Sequence, residues 1–128
     1  MLNAIKVTGR LIVFSLIPLV IASCGEGTVS FSKDVKPILD QNCLVCHQSG
    51  GEGYLASGLN MSNYDDLMKG TRNGPMIIAG DALGSNLLVL MEGRADPSIS
   101  MPHGEREAVA NEDIETVRLW IDQGAKNN

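Results

Sequence analysis

The apolar and polar positions of this chain change period along its length. Leu11 to Ile21 is almost uninterrupted apolar sequence, with Lys6 and Arg10 before it and Ala22-Ser23-Cys24 after it. Beyond it the spacing becomes helical. Val35, Ile38 and Leu39 share one face and predict a first helix over about 35–43. With Asp34 as N-cap, Pro37 falls in the first turn, where a missing N–H costs nothing; an earlier start would lose a backbone bond. Gly50 to Gly58 reads as a glycine-rich loop. Ser62, with Asp65 three residues on, predicts the N-cap of a short helix to Lys69 that Gly70 closes. Ser85 is placed to cap another, with Leu87, Leu88, Leu90 and Met91 at helical spacing. The last helix is the clearest. Asn111 is a good N-cap, Glu112, Asp113 and Glu115 suit the positive end of the dipole, and Ile114, Val117, Trp120 and Ile121 form one stripe ended by Gly124. No period-2 run predicts a sheet. The expected fold is all-α.

The first stretch has the plan of an export signal: a charged start, a short apolar run and small residues at the cleavage point. The run is too short to span a bilayer comfortably. Ile21-Ala22-Ser23-Cys24 resembles the bacterial lipobox, in which the Cys is lipidated and becomes the first mature residue. The competing readings are a plain cleaved signal with an incidental Cys, or an uncleaved anchor. The lipobox implies an exported protein, lipid-anchored through Cys24 on the periplasmic side of a bacterial membrane. Gly25, rather than Asp, after Cys24 resembles the pattern sent to the outer membrane. The expected organisation is a signal peptide over 1–23, a short membrane-proximal linker over 24–30 and a domain over 31–125. Gly25 to Ser30 reaches at most about 20 Å, so the domain is expected close to the membrane.

Removing 23 of the 128 residues leaves 105, enough for one small domain. Two basic residues leave with the signal, so 8 remain against 15 acidic ones, a net charge of −7. Nothing resembles a basic patch, which argues against nucleic acid. A partner protein with a basic docking surface fits better, because opposite fields steer encounter.

The chemistry is concentrated in Cys43-Leu44-Val45-Cys46-His47, the C-x-x-C-H spacing of c-type haem attachment. Two thiols must reach the two vinyl groups on one porphyrin edge, and the following residue must turn its imidazole under the iron. Other readings are a redox dithiol or half of a zinc site. Zinc needs two further ligands, and His103 is the only other His or Cys outside the anchor region. A thioredoxin-like dithiol needs no following His and sits in a βαβ pattern that is not found. The three cysteines are thereby all accounted for, one for the anchor and two for haem c. Downstream of the leader only Phe31, Tyr54, Tyr64 and Trp120 are aromatic, and a buried haem would supply the large apolar body that the chain omits.

The order of these elements resembles a class I mono-haem cytochrome c, over about Phe31 to Ala125. Phe31-Ser32-Lys33-Asp34-Val35-Lys36-Pro37-Ile38-Leu39, Gly80-Asp81 and Met101-Pro102-His103-Gly104 look like the small cytochrome c domains of bacterial exported proteins. The resemblance implies first and last helices that cross and pack, with Trp120 at their contact. It also implies His47 and a Met as the axial iron ligands, and Met101, directly before Pro102, matches the family's usual arrangement. Pro102 biases Met101 towards extended backbone, as a loop-presented ligand needs. His103, Met61, Met76 or an empty sixth position are the alternatives; Met68 and Met91 read as packing. Arg72 is placed to pair with a haem propionate or to stay solvated, and Asp65-Asp66 and Glu105-Arg106-Glu107 read as solvated faces.

The function implied is one-electron transfer by a membrane-tethered carrier, not catalysis. Rival readings are a haem module that binds or senses a small gas, and the electron-transfer subunit of a larger oxidoreductase. A peroxidase of this kind commonly uses a second haem, and the chain has a single C-x-x-C-H.

Overall fold

Ser30 starts the first helix. Its hydroxyl accepts from Lys33 N at 3.3 Å, and the Asp34 carboxylate accepts from Ser30 N at 2.7 Å, a reciprocal cap. A π-type turn, Phe31–Val35, then runs directly into α1, Lys36–Asn42. The computed structural model in which this is seen describes residues 27–128. The expected signal peptide over 1–23 and Cys24 lie outside the described residues.

The helix therefore starts earlier than expected, and Asp34 is not its N-cap. The reason lies in Pro37. Val35 N bonds back to Ser30 O and Lys36 N to Phe31 O, so the turn before Pro37 is wide. A residue with no N–H, whose ring crowds the carbonyl four residues back, is accommodated there without ending the helix. The extra turn buries Phe31 and Val35, while α1 buries Ile38 and Leu39.

The stretch expected as a glycine-rich loop contains a helix. α2, Glu52–Ser57, runs from Gly51 to Gly58, which ends it at φ 84° with its N–H on Tyr54 O at 2.7 Å. α2 buries no residue, so it has no apolar stripe for periodicity to detect. α3, Tyr64–Lys69, is capped by Asn63, whose side chain accepts from Asp66 N at 2.9 Å. Ser62 instead bonds to Asn60 Oδ1, which corrects the expected cap by one residue. α4, Asn86–Met91, follows Ser85 as expected, yet the Ser85 hydroxyl does not cap it. That hydroxyl is buried, accepts from Ile78 N at 2.8 Å and donates to Asp81 O at 2.7 Å. After a short 3₁₀ turn, Pro97–Ile99, comes α5, Asn111–Asp122, with Ala110 rather than Asn111 at the cap position.

Among the described residues there is no β-strand, only isolated bridges at Thr71–Gly74 and Ile78–Asp81. The all-α fold expected from the sequence is the one observed, and it is compatible with a small cytochrome c fold. No helix among the described residues is long and apolar enough to cross a membrane.

The helices are held at a knot of three rings. Phe31 lies 5.4 Å from Trp120 and 5.2 Å from Tyr64, the latter edge-on. This joins the first helical segment to α5. Trp120, 1% exposed, donates through Nε1 to Lys126 O, and Tyr64 OH donates to Ala125 O. The Gln123 amide grips the chain entering the first helix, accepting from Val29 N at 2.8 Å and donating to Gly27 O at 3.2 Å. Glu92, at the end of α4, pairs with Arg118 of α5. Stitched in this way, the end of α1, the start of α2, α4 and the 99–109 segment surround one cavity.

Candidate functional site

The last turn of α1 delivers the Cys-Leu-Val-Cys-His segment as a tight coil. Cys43 N and Leu44 N both bond to Leu39 O, at 2.9 and 3.0 Å, and Cys43 O accepts from Cys46 N and His47 N. Two residues after Cys43, the chain thus doubles back and sets both thiols and the imidazole on one side. Cys46 O then accepts from Tyr54 N at 2.9 Å, and His47 O from Met61 N at 2.7 Å. The motif is pinned to α2 and to the 59–61 segment by its own carbonyls.

His47 is 8% exposed. Its Nδ1 donates to Leu59 O at 3.4 Å, which leaves the Nε2 lone pair free to bind a metal. Burial holds the imidazole pKa below its usual value, with the Leu59 contact opposing. Burial, and then the charge of Cys46, push the Cys43 thiol up to about 11. A redox-active dithiol works the other way, by lowering a thiol pKa into the neutral range. Cys43 and Cys46 are not joined to each other in a disulfide.

Glycines complete the seat. A Cβ on Gly53 would stand 2.7 Å from His47 Cε1 and 2.8 Å from Nε2, and a Cβ on Gly51 would strike Cys46 O. Only a bare backbone lets α2 lie this close to the ring and to the motif. Sequence reasoning had these glycines only as loop formers. Their one legible signal was proximity to His47, which does not say which of them meets the ring.

Cys43, Cys46, His47 and Met101 all line the same cavity, of about 670 Å³. That lies within the range of roughly 300–1,000 Å³ occupied by cofactor and small-molecule sites. Leu59, Met61, Met76, Leu87, Leu90 and Val109 supply apolar wall, with Asn42, Thr71 and Asn73 among the polar positions. A largely apolar chamber with two thiols and an imidazole of defined tautomer is the donor set that covalent haem requires, and these residues fit it. Among the described residues no three His, Cys, Asp or Glu side chains converge as a metal-binding set.

Several soft donors reach the chamber. Met61, Met76, Met91 and Met101 line it, as does His103, while Met68 packs elsewhere against the core. Met91 is thus both a packing residue, as expected, and part of the wall. Met61 is tied through its backbone to His47 itself, whereas Met101 comes from a separate segment whose N–H is fixed on Leu90 O at 3.2 Å. His103 is exposed, with Nδ1 against Ser100 O at 3.1 Å. Arg72 is not brought to the chamber. Its guanidinium donates to Leu55 O and Ala56 O, at 3.0 and 2.6 Å, and so closes the C-terminal end of α2.

Residues 43–105 match the family model described as Planctomycete cytochrome C. A 42-residue stretch, 33% of this chain, is 38% identical to hydrazine synthase subunit alpha of Kuenenia stuttgartiensis and covers 5% of that protein. The chain therefore spans a small fraction of the length of that relative. No solved structure matches. The matched residues begin at the first thiol of the motif and run past Met101 and His103, which is the part of the chain that builds the chamber. The chain carries a cytochrome c-type domain, a family whose cofactor is covalently bound haem c.

Proposed function

We propose that the protein is a one-electron carrier in which Cys43 and Cys46 hold a single haem c and His47 and Met101 are its axial ligands. The observation that carries this reading is the convergence of both thiols and the Nε2 face of a hydrogen-bonded, buried imidazole on one apolar chamber. Haem bound there supplies an iron that changes by one charge between its ferric and ferrous states. The chain's own part is to hold and exclude. Leu59 O and Gly53 fix the plane of the His47 ring, and Leu87, Leu90 and Val109 keep water from the chamber. A thioether at the sixth position favours the ferrous state and raises the potential. Support for Met101 over Met61 is that Met61 is bonded to His47's own carbonyl, while Met101 is presented by another segment.

The reading extends to location. Cys24 is the lipidation site of an exported protein, anchored at the periplasmic side of a bacterial membrane, with the outer membrane favoured by Gly25. A net charge of −7 beyond the leader suits a redox partner with a basic docking surface.

A second reading is favoured by the match to an enzyme subunit: the domain serves as the electron-transfer subunit of a larger oxidoreductase. The two share the same site and differ in whether the partner is transient or permanent.

The optical spectrum of the haem-loaded, oxidised protein tests the ligand set. A weak sulfur-to-iron charge-transfer band is expected. Its absence from a low-spin spectrum makes His103 the ligand and the carrier a low-potential one. A high-spin spectrum, with carbon monoxide binding once the protein is reduced, overturns the carrier reading in favour of gas binding.

A further inference from the structure

Five large apolar side chains are exposed among the described residues. Val45 lies within the cysteine motif, Leu55 on α2 and Ile99 on the chamber wall, all beside the site already described. Ile78 and Leu83 stand apart from it. They are 49% and 68% exposed and belong to one turn, which the Ile78–Asp81 bridge closes. That turn is braced. The buried Ser85 hydroxyl accepts from Ile78 N at 2.8 Å and donates to Asp81 O at 2.7 Å, Arg94 donates to Leu83 O at 3.1 Å, and Ala82 is buried. Single exposed apolar residues are ordinary on a protein surface. What distinguishes this pair is where its turn is tied.

Gly80 N bonds to Ile121 O at 2.8 Å and Ala82 N to Asp122 Oδ1 at 2.9 Å, so the turn closes the C-terminal end of α5. The next residue, Gln123, holds the chain that enters from Cys24, through Val29 N and Gly27 O. The turn and the entering chain therefore meet consecutive residues at one end of the helix. From the sequence, the whole stretch from Gly25 to Ser30 could act as tether. With Gly27 held, only Gly25 and Glu26 separate Cys24 from the folded domain, a reach of about 11 Å. The helical run from Phe31 to Asn42 meanwhile rises about 18 Å and carries the cysteine motif away from the point of entry.

We propose, resting on the reading of Cys24 as lipidated, that Ile78 and Leu83 dip into the bilayer surface and fix how the domain stands on its membrane. Lipid is the occupant because so short a tether leaves no room for another protein domain between this end and the headgroups. Asp81 and Asp122 belong to this end, Glu26 lies in the tether, and Arg94 is already paired with Glu92. Attraction to anionic lipid therefore does not drive the contact. Burial of the two apolar side chains does.

The test uses the full haem-loaded, lipidated chain in phosphatidylcholine vesicles. A polarity-sensitive dye is placed at the exposed Ala79 by A79C and, as a control on α2, at Leu55 by L55C. With Cys24 lipidated and Cys43 and Cys46 in thioether bonds, the added thiol is the one that labels. The A79C label should shift to the blue and be quenched by nitroxide-bearing lipid, and the L55C label should do neither. Adding I78S and L83S to A79C should abolish the shift, and high salt should leave it intact, since apolar burial is not screened. A label in water at A79C, an equal shift at L55C, a shift that survives I78S with L83S, or one lost in salt each overturns the contact. A shift that grows with protein density on the vesicle overturns lipid in favour of a second copy of the chain. An N-terminal peptide whose mass shows no lipid on Cys24 overturns the tether reading itself, whatever the label reports.

Discussion

Replacing Gly53 with alanine places one methyl group against the face of the His47 ring. The added carbon would lie 2.7 Å from Cε1, 2.8 Å from Nε2 and 3.0 Å from Nδ1. Carbon atoms settle at about 3.5–4.0 Å, so the ring or α2 has to yield by about 1 Å. Neither is free to move. α2 is latched to the motif by Tyr54 N on Cys46 O at 2.9 Å, and the ring is held by Leu59 O at 3.4 Å, already near the limit of a useful hydrogen bond. Overpacking of this kind costs about 1–3 kcal/mol, and loss of the Leu59 bond adds about 1 kcal/mol. Alanine's better helix propensity returns about 1 kcal/mol. The net expectation is a loss of about 1–3 kcal/mol in urea unfolding of the haem-loaded protein, with an altered spectrum because the imidazole proposed as iron ligand is displaced. A variant that gains about 1 kcal/mol with an unchanged spectrum would show that helix propensity is all that changed. The glycine would then not be seating the ring.

Other substitutions probe separate parts of the design. Met101→Ala should leave haem attached, lower the potential and open the iron to carbon monoxide, whereas Met76→Ala should not; an unchanged potential in the former means that another ligand is used. Trp120→Ala removes the ring that joins Phe31 and Tyr64 and should cost about 3–5 kcal/mol, a large share of the stability of any small domain, as read by chemical denaturation. Electron transfer to a basic partner should slow as salt rises past the point where the Debye length falls to about 10 Å, and indifference to ionic strength would refute the charge argument.

The parts of the fold legible in the sequence are those that bury a periodic face. α5 was readable because Val117, Trp120 and Ile121 recur at helical spacing and all end up buried. Its cap was off by one, since acids in the first turn satisfy the dipole whether or not the preceding side chain bonds back. α2 was missed because it buries nothing, and a helix without an apolar stripe differs from a glycine-rich loop only in the contacts it makes. The start of the first helix was misjudged for another reason. A proline penalty was assigned to an α-turn, and the chain adopts a wider one that avoids it.

The site divides along the same line. Cys43, Cys46 and His47 stand out as candidates in the sequence because attachment chemistry demands adjacent residues, and adjacency is what a sequence records; the structure places all three on one chamber. Met101 joined them through a recognisable Met-Pro pair, and the structure puts it on the wall of the same chamber. The roles of Gly53, Leu59 and Arg72 were not legible. Arg72, expected either to pair with a propionate or to stay solvated, is spent on two carbonyls of α2, while Glu105-Arg106-Glu107 is exposed as expected. The sequence by itself determined which donor atoms stand at the spacing that a covalent cofactor needs, because such bonds require particular atoms at particular spacings. Only the tertiary structure decided which backbone lies against the imidazole and which carbonyl orients it. Those are properties of packing between segments far apart in the chain, and no local pattern encodes them.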